Sequence, residues 1–304
     1  MAKIPTKRPD DNEMDVPKVN RQTLRVRVIG STPLIYHAVS MKARRELLMP
    51  RGRLNAAAKA ENMKHDPIAE YRDSFYTCEQ DSRPTRLIVP ATMFKGALLT
   101  AALRIPGVMK TEIGQLVWVV GNDPDYTDEI SVWGRPMLRM DVVRMAGQQR
   151  IPDIRTRGCL THWCCEFGVR FATPLLTARA VGNLLVTAGM VSGICDWRPE
   201  KGKGDYGSFD VIDHEDAEQM KAFDSIQRQD RQRQDEAILN PVAMNAQTLE
   251  LLDWFDTEVT KRGREKAVTS TGKASTAAAV VAAMETGAIK PNGRSRGKGA
   301  THGA

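Results

Sequence analysis

The chain has 304 residues, 41% hydrophobic and 27% charged, enough apolar material for the core of one large domain or two small ones. No window approaches the roughly 18 uninterrupted apolar residues of a membrane span, and "MAKIPTKRPDDNEMDVPKVN" lacks an apolar run, so neither a membrane protein nor a secretory signal is expected. The net charge of +7 is carried entirely by residues 261–304, nine Lys and Arg against Glu265 and Glu285, while the first 260 residues balance 35 basic against 35 acidic side chains.

In chain order, residues 1–20 read as a flexible arm. "TLRVRVIG" (23–30) then sets Leu24, Val26 and Val28 against Arg25 and Arg27, the period-2 pattern of a half-buried strand. Ser40 is placed to cap a short basic helix in "SMKARRELLM", and Pro67 suits the first turn of another within the polar insertion at 51–80. "TRLIVP" (85–90) reads as a strand stopped by Pro90, followed by an Ala- and Leu-rich helix at 91–104. "GQLVWVVG" and "ISVWGRPMLRMDVVRM" supply more strands, and "CLTHWCCEFGVRF" (159–171) reads as one long strand. On it Trp163, Cys165, Phe167, Val169 and Phe171 share one face, and His162, Cys164, Glu166 and Arg170 the other.

A helix at 177–193 follows, with Thr177 as its cap, Val181, Leu184, Leu185 and Ala188 as its buried stripe and Gly193 as its stop. After a glycine-rich loop and the strand "SFDVI", residues 214–239 read as one charged helix and 246–262 as a second, amphipathic one. Together 214–262 form a helical extension, and 263–304 a basic low-complexity tail, either drawn to polyanions or simply solubilising. The predicted class is α+β: a core at 21–213 of ferredoxin-like, RRM-type order, with helical insertions. The odd number of cysteines, at 78, 159, 164, 165 and 195, argues against a disulfide scaffold. A reducing, cytoplasmic setting is expected, the host's cytoplasm if the chain is viral.

The loop "GICDWRPEKGKGDYGSFDV" (193–211) carries the strongest functional signal. It is no P-loop and no dinucleotide fingerprint, because the glycines lead into a strand rather than a helix N-terminus. What remains is either a plain polar turn or a nucleic-acid loop. In the second case Gly202, Gly204 and Gly207 let the backbone approach a ligand, Arg198, Lys201 and Lys203 supply charge, and Trp197 and Tyr206 can stack on bases. In "IPDIRTRG", Arg155 and Arg157 are two apart and share one side of an extended segment, as phosphate contacts or as a solvated face. Adjacent Cys164 and Cys165 point to opposite faces of a strand, which disfavours a zinc site, so no metal is expected.

The loop, and "VPATMFKGALLTAALR" (89–104) upstream of it, resemble the corresponding segments of the RAMP (repeat-associated mysterious protein) superfamily, in particular the backbone subunits of CRISPR effector complexes. The resemblance implies a ferredoxin-like core, Lys95 at a helix start facing nucleic-acid backbone, and Arg198, Lys201 and Lys203 over the same strand path. It implies a non-catalytic binder of single-stranded RNA or DNA, with no cofactor, that assembles head to tail with copies of itself. The segments at 51–80 and 214–262 are candidate subunit contacts. The alternative it leaves open is a metal-independent RNA endonuclease with His37 as general base, either that or a packing residue.

Overall fold

β1 (Asn20–Gly30) forms because its alternation puts Val26 and Val28 into the core while Arg21 and Arg25 stay exposed. This computed structural model describes residues 18–49, 65–144 and 151–262. Most of the arm predicted at 1–20, residues 51–64 of the predicted insertion and the tail at 263–304 lie outside them. The chain divides into two compact units, Met1–Thr248 and Leu249–Ala304.

The first unit is an α+β structure with antiparallel sheets. β1 pairs along its length with β8 (Cys164–Thr173), in register from Asn20 opposite Thr173 to Ile29 opposite Cys164. The other edge of β8 is shared: β4 (Val117–Val120) covers its C-terminal half and β5 (Glu129–Trp133) its beginning. Short β3 (Ile88–Pro90) pairs with β5, and β9 (Phe209–Val211) pairs with the end of β1.

α3 (Ala91–Ala102) and α5 (Ala178–Val191) bury their apolar stripes against this sheet; α1 and α2 are given below. Phe94 of α3 packs on Phe167 and edge-on against Phe209, with centroids 4.3 and 5.3 Å away. Gly189 of α5 lies directly over the Phe209 carbonyl, where a Cβ would overlap it. The predicted cap at Thr177 is present, accepting from Ala180 N at 3.2 Å, and Gly193 turns the chain out of the helix with φ +64°.

A second sheet of three strands, β2 (Leu34–Ile35), β7 (Pro152–Leu160) and β6 (Pro136–Arg144), stands beside the first. The strand predicted at 159–171 is therefore two strands in different sheets. The chain turns at Thr161–Trp163, and the alternation stays in phase on both sides of the turn, which hid it. α1 (Met41–Leu48) is capped by Ser40 and α2 (Pro67–Asp73) by Asp66, with Pro67 in its first turn as predicted. Phe75, just after α2, packs so closely on Gly158 of β7 that a Cβ there would overlap its ring.

The charged helix predicted at 214–239 is also two: α6 (Ala217–Gln227) and α7 (Arg231–Leu239), broken where Asp230 caps α7 by accepting from Arg233 N. Between α3 and β4 lies α4 (Lys110–Leu116). α6 packs Phe223 onto Cys164 and Ile212. α7 is held by buried Gln234, whose amide oxygen accepts from Arg86 N and Leu87 N and whose nitrogen donates to the carbonyls of Val132 and Gly134. α8 (residues 246–262) follows, and the described part of the second unit is helical. All five cysteines are free and buried, and no helix among the described residues is long and apolar enough to cross a membrane.

Candidate nucleic-acid interface

The loop after α5 folds on itself before it meets anything else. Ile194 N donates to Gly207 O at 2.9 Å and Tyr206 N to Trp197 O at 3.1 Å, while Gly207 N and Asp196 N donate to Pro33 O and Ile35 O. Gly207 (φ +73°) and Gly204 are needed by this closure, since a Cβ at either would strike the carbonyl of Ile194 or Trp197. Gly202, also left-handed at φ +69°, has open space around it. Two non-glycine residues, Cys195 (φ 63°) and Trp197 (φ 53°), also hold left-handed conformations, each costing about 1–3 kcal/mol that neighbouring contacts must offset.

Those contacts come from the second sheet. The Arg157 and Arg139 guanidinium carbons lie 5.2 and 5.8 Å from the Trp197 ring centroid, and Arg139 lies 4.8 Å from that of Tyr206. The two arginines are directly opposed on β7 and β6, a repulsive register for like charges. Two carboxylates resolve it. Asp141 accepts from Arg139 Nε and from Arg157 at 2.9 Å, and Asp196 of the loop accepts from Arg157. Burial works against the Arg139 charge, but the Asp141 carboxylate outweighs it and raises the arginine's pKa. Burial above all pushes the neighbouring Cys159 thiol up to about 11, against the lowering charges of Arg139 and Arg157.

Arg157 is therefore 5% exposed and committed to carboxylates, whereas Arg155, two residues along the same face, is exposed and makes no ion pair with a described residue. The spacing in "IPDIRTRG" put both on one side, but only the sheet reveals which is neutralised.

Two clefts meet at His37. One, of about 430 Å³, runs between the residues around α1 and α2 and β7, and includes Arg155, Arg157 and Asp196 in its wall. The other, of about 350 Å³, lies between the glycine loop and α3, lined by Thr92, Gly96, Lys110 and Arg198 among others. His37 Nδ1 is buried and has no hydrogen-bond partner, and the ring stands edge-on to Tyr76, 5.9 Å between centroids. Burial lowers its pKa first, and the Arg198 and Arg157 charges lower it further against the pull of Asp196, so the imidazole is neutral at pH 7.

Arg198 spends Nε on Glu200 at 2.6 Å and a terminal nitrogen on Cys195 O at 2.8 Å. Glu200 also accepts from Thr100 Oγ1, which ties the loop to α3. Burial would raise the Glu200 pKa, but the hydrogen bond and charge of Arg198 hold it below the ordinary value. Lys201 and Lys203 are exposed at the loop tip. Trp197 and Tyr206 are half-buried, tilted 38° to each other at 6.0 Å, so each shows part of a ring. Lys95 is half-buried on α3 and lines neither cleft.

The residues that sequence reasoning missed are Arg139, Asp141, Asp196 and Lys110. The i, i+2 pair Arg139–Asp141 was visible in "MLRMD", but Arg157 lies 16 residues from Asp141 and Asp196 a further 39 from Arg157. Among the described residues no group of three or more His, Cys, Asp or Glu could hold a metal ion. No known protein-family model matches the chain and no curated protein matches it, so the geometry of this cleft pair has to carry the functional reading.

Proposed function

We propose that the protein is a non-catalytic binder of single-stranded nucleic acid, RNA or DNA, that assembles head to tail along the strand through a RAMP-like core. The observation that carries this is the pair of clefts that share neutral His37, with Arg155 in the wall of one among the carboxylates Glu70, Asp73, Asp153 and Asp196, Lys110 and Arg198 in the wall of the other, and Lys201 and Lys203 exposed on the loop. A polyanion that enters both clefts meets Arg155 in one and Lys110 in the other, with the partly exposed Trp197 and Tyr206 rings on the loop. The element order supports the same reading. β1–α3–β4–β8–α5–β9, with β1 and β8 adjacent and central, is compatible with the split βαβ order of a ferredoxin-like fold.

Assembly follows from the charge balance. The first 260 residues are neutral overall, so one copy offers only a few phosphate contacts. Single-strand binders cover about 4–16 nucleotides per domain, and repetition along a strand adds both phosphate and protein contacts. The test is fluorescence anisotropy with labelled oligo-U and oligo-dT across a salt series. Replacing Arg155, Lys201 and Lys203 with Ala should weaken binding and lower the salt slope by about 2, at roughly 0.7 per phosphate contact. Arg198 stays, because its pair with Glu200 holds the loop. Unchanged affinity and slope would refute the cleft path, and a particle that stays monomeric on a long strand at saturation would refute assembly.

One observation favours a second reading, RNA cleavage by His37. A neutral imidazole with an unpartnered nitrogen, its pKa lowered by burial and by the charges of Arg198 and Arg157, is what a general base beside a phosphodiester requires. End-labelled RNA stays intact under the first reading. Cleavage that disappears in His37→Ala would establish the second.

A further inference from the structure

The sheet has a second face, opposite α3 and α5, and among the described residues α6 covers one end of it. There Phe223, Ile212 and Cys164 close over Ile29 and Trp133. At the other end the register brings three arginines together. Arg170 of β8 is paired with Thr23 of β1, so it lies diagonally between Arg21 and Arg25, and Trp118 of β4 is its partner on the far side. Arg21 and Arg25 are exposed, Arg170 and Trp118 half-buried. The Arg21 guanidinium carbon stands 4.7 Å from the Trp118 ring centroid.

Clustered like charges on neighbouring strands destabilise a sheet unless something neutralises them. Here none of the three arginines makes an ion pair with a described residue. Glu166, four residues before Arg170 on the same face of β8, is held by Arg27 at 2.8 Å and by Asn122. We infer that this end of the open sheet face is a second binding surface for single-stranded nucleic acid, with phosphates on Arg21, Arg25 and Arg170 and a base on Trp118.

The shape selects this occupant over an acidic peptide. Strands lie about 4.8 Å apart and rise about 3.3 Å per residue, so the four side chains span roughly 10 Å across three strands and 13 Å along β1. A peptide strand added at the β1 edge would extend the sheet sideways and leave Trp118 three strands away. A ligand that touches all four must lie flat over the face. A nucleic-acid strand does so with its phosphates on guanidinium groups and a π-face on the indole.

The inference is independent of the cleft path, and the experiment separates the two. Arg25→Gln/Arg170→Gln and Trp118→Leu are each made in the full chain, alone and on top of the Arg155, Lys201 and Lys203 replacements. Labelled oligo-dT and oligo-U are compared with inorganic polyphosphate, and polyglutamate serves as competitor. The double arginine variant should lower the salt slope by about 1.4 in either background, two contacts at roughly 0.7 each. Trp118→Leu should weaken oligonucleotide binding about 5-fold or more and leave polyphosphate binding unchanged.

Loss of binding in the face variants together with wild-type binding in the cleft variant would leave this surface standing and remove the cleft. Unchanged affinity and slope in Arg25→Gln/Arg170→Gln overturns the inference. So does a Trp118→Leu that weakens polyphosphate as much as oligonucleotide, or polyglutamate that competes as well as polyphosphate, either of which would mark the face as a site for acidic protein. If Trp118→Leu fails to fold, the surface arginine pair decides the matter.

Discussion

Gly30 and Trp163 hold each other at the junction of the two sheets. Gly30 N donates to Trp163 O at 2.8 Å, and the indole covers the glycine so closely that a Cβ would overlap the ring. The indole nitrogen then donates to Thr32 O at 2.8 Å, so the ring cannot swing away without leaving a buried donor unpaired. Gly30→Ala should therefore cost about 1–3 kcal/mol of stability, the range for overpacking a filled site. Urea denaturation checks it, and a loss below half a kilocalorie would mean that the ring relocates freely.

Gln234 replaces strand pairing at the open ends of β3 and β5 with one side chain. Removing it by Gln234→Leu keeps much of the volume but leaves two amides and two carbonyls without partners. Each unsatisfied buried group costs about 1–3 kcal/mol, so a total loss of at least about 2 kcal/mol is expected even with partial rehydration. Faster hydrogen exchange at Arg86 and Leu87 amides would locate the damage.

Arg157→Gln removes the positive centre between Asp141 and Asp196 and leaves Arg139 and Asp141 to rearrange. Breaking a buried pair from one side typically costs about 3–5 kcal/mol; Asp196 is partly exposed, so about 3 kcal/mol is expected. Because the charge of Arg157 is already cancelled, the salt slope for oligonucleotide binding of the folded variant should match wild type. A slope as reduced as that of an Arg155 variant would show that Arg157 does reach phosphate.

The pH dependence follows from His37. Its folded pKa lies below the ordinary value of about 6.5 because burial penalises the charged form. Between those two values the unfolded chain binds more protons than the folded one, so stability is full above about pH 6.5 and falls as pH drops toward the folded pKa. Wild type should lose more stability between pH 7.5 and 5.5 than His37→Asn does, by thermal or urea unfolding at both pH values. Equal losses would show that the imidazole titrates as it does in solvent.

Local chemistry was legible in the sequence wherever one segment decides it. The caps at Ser40 and Thr177, the first-turn Pro67, the stop at Gly193 and the buried stripe of α5 all stand where composition put them. Breaks that keep the pattern in phase were not legible, as at Thr161–Trp163, where alternation continues through a change of sheet. Nor were partnerships across the fold. Arg155 and Arg157 are equivalent in the sequence, and only the approach of Asp141 and Asp196, 16 and 39 residues from Arg157, makes one structural and leaves the other exposed. The arginines of β1 were visible as a half-buried pattern, but their convergence with Arg170 and Trp118 depends on the β1–β8 register.

That register also sets a schedule. Arg27 and Glu166 face each other across 139 residues of chain, so a ribosome adding about 5–20 residues per second exposes β1 for roughly 7–30 seconds before its partner exists. During that interval the strand displays Val26 and Val28 beside an unoccupied row of amides, the combination that invites pairing with another nascent chain. The arginines at 21, 25 and 27, spaced through it, keep two such strands apart by charge. Replacing them with neutral residues would tax the yield of soluble protein during synthesis before it changed anything in the finished fold.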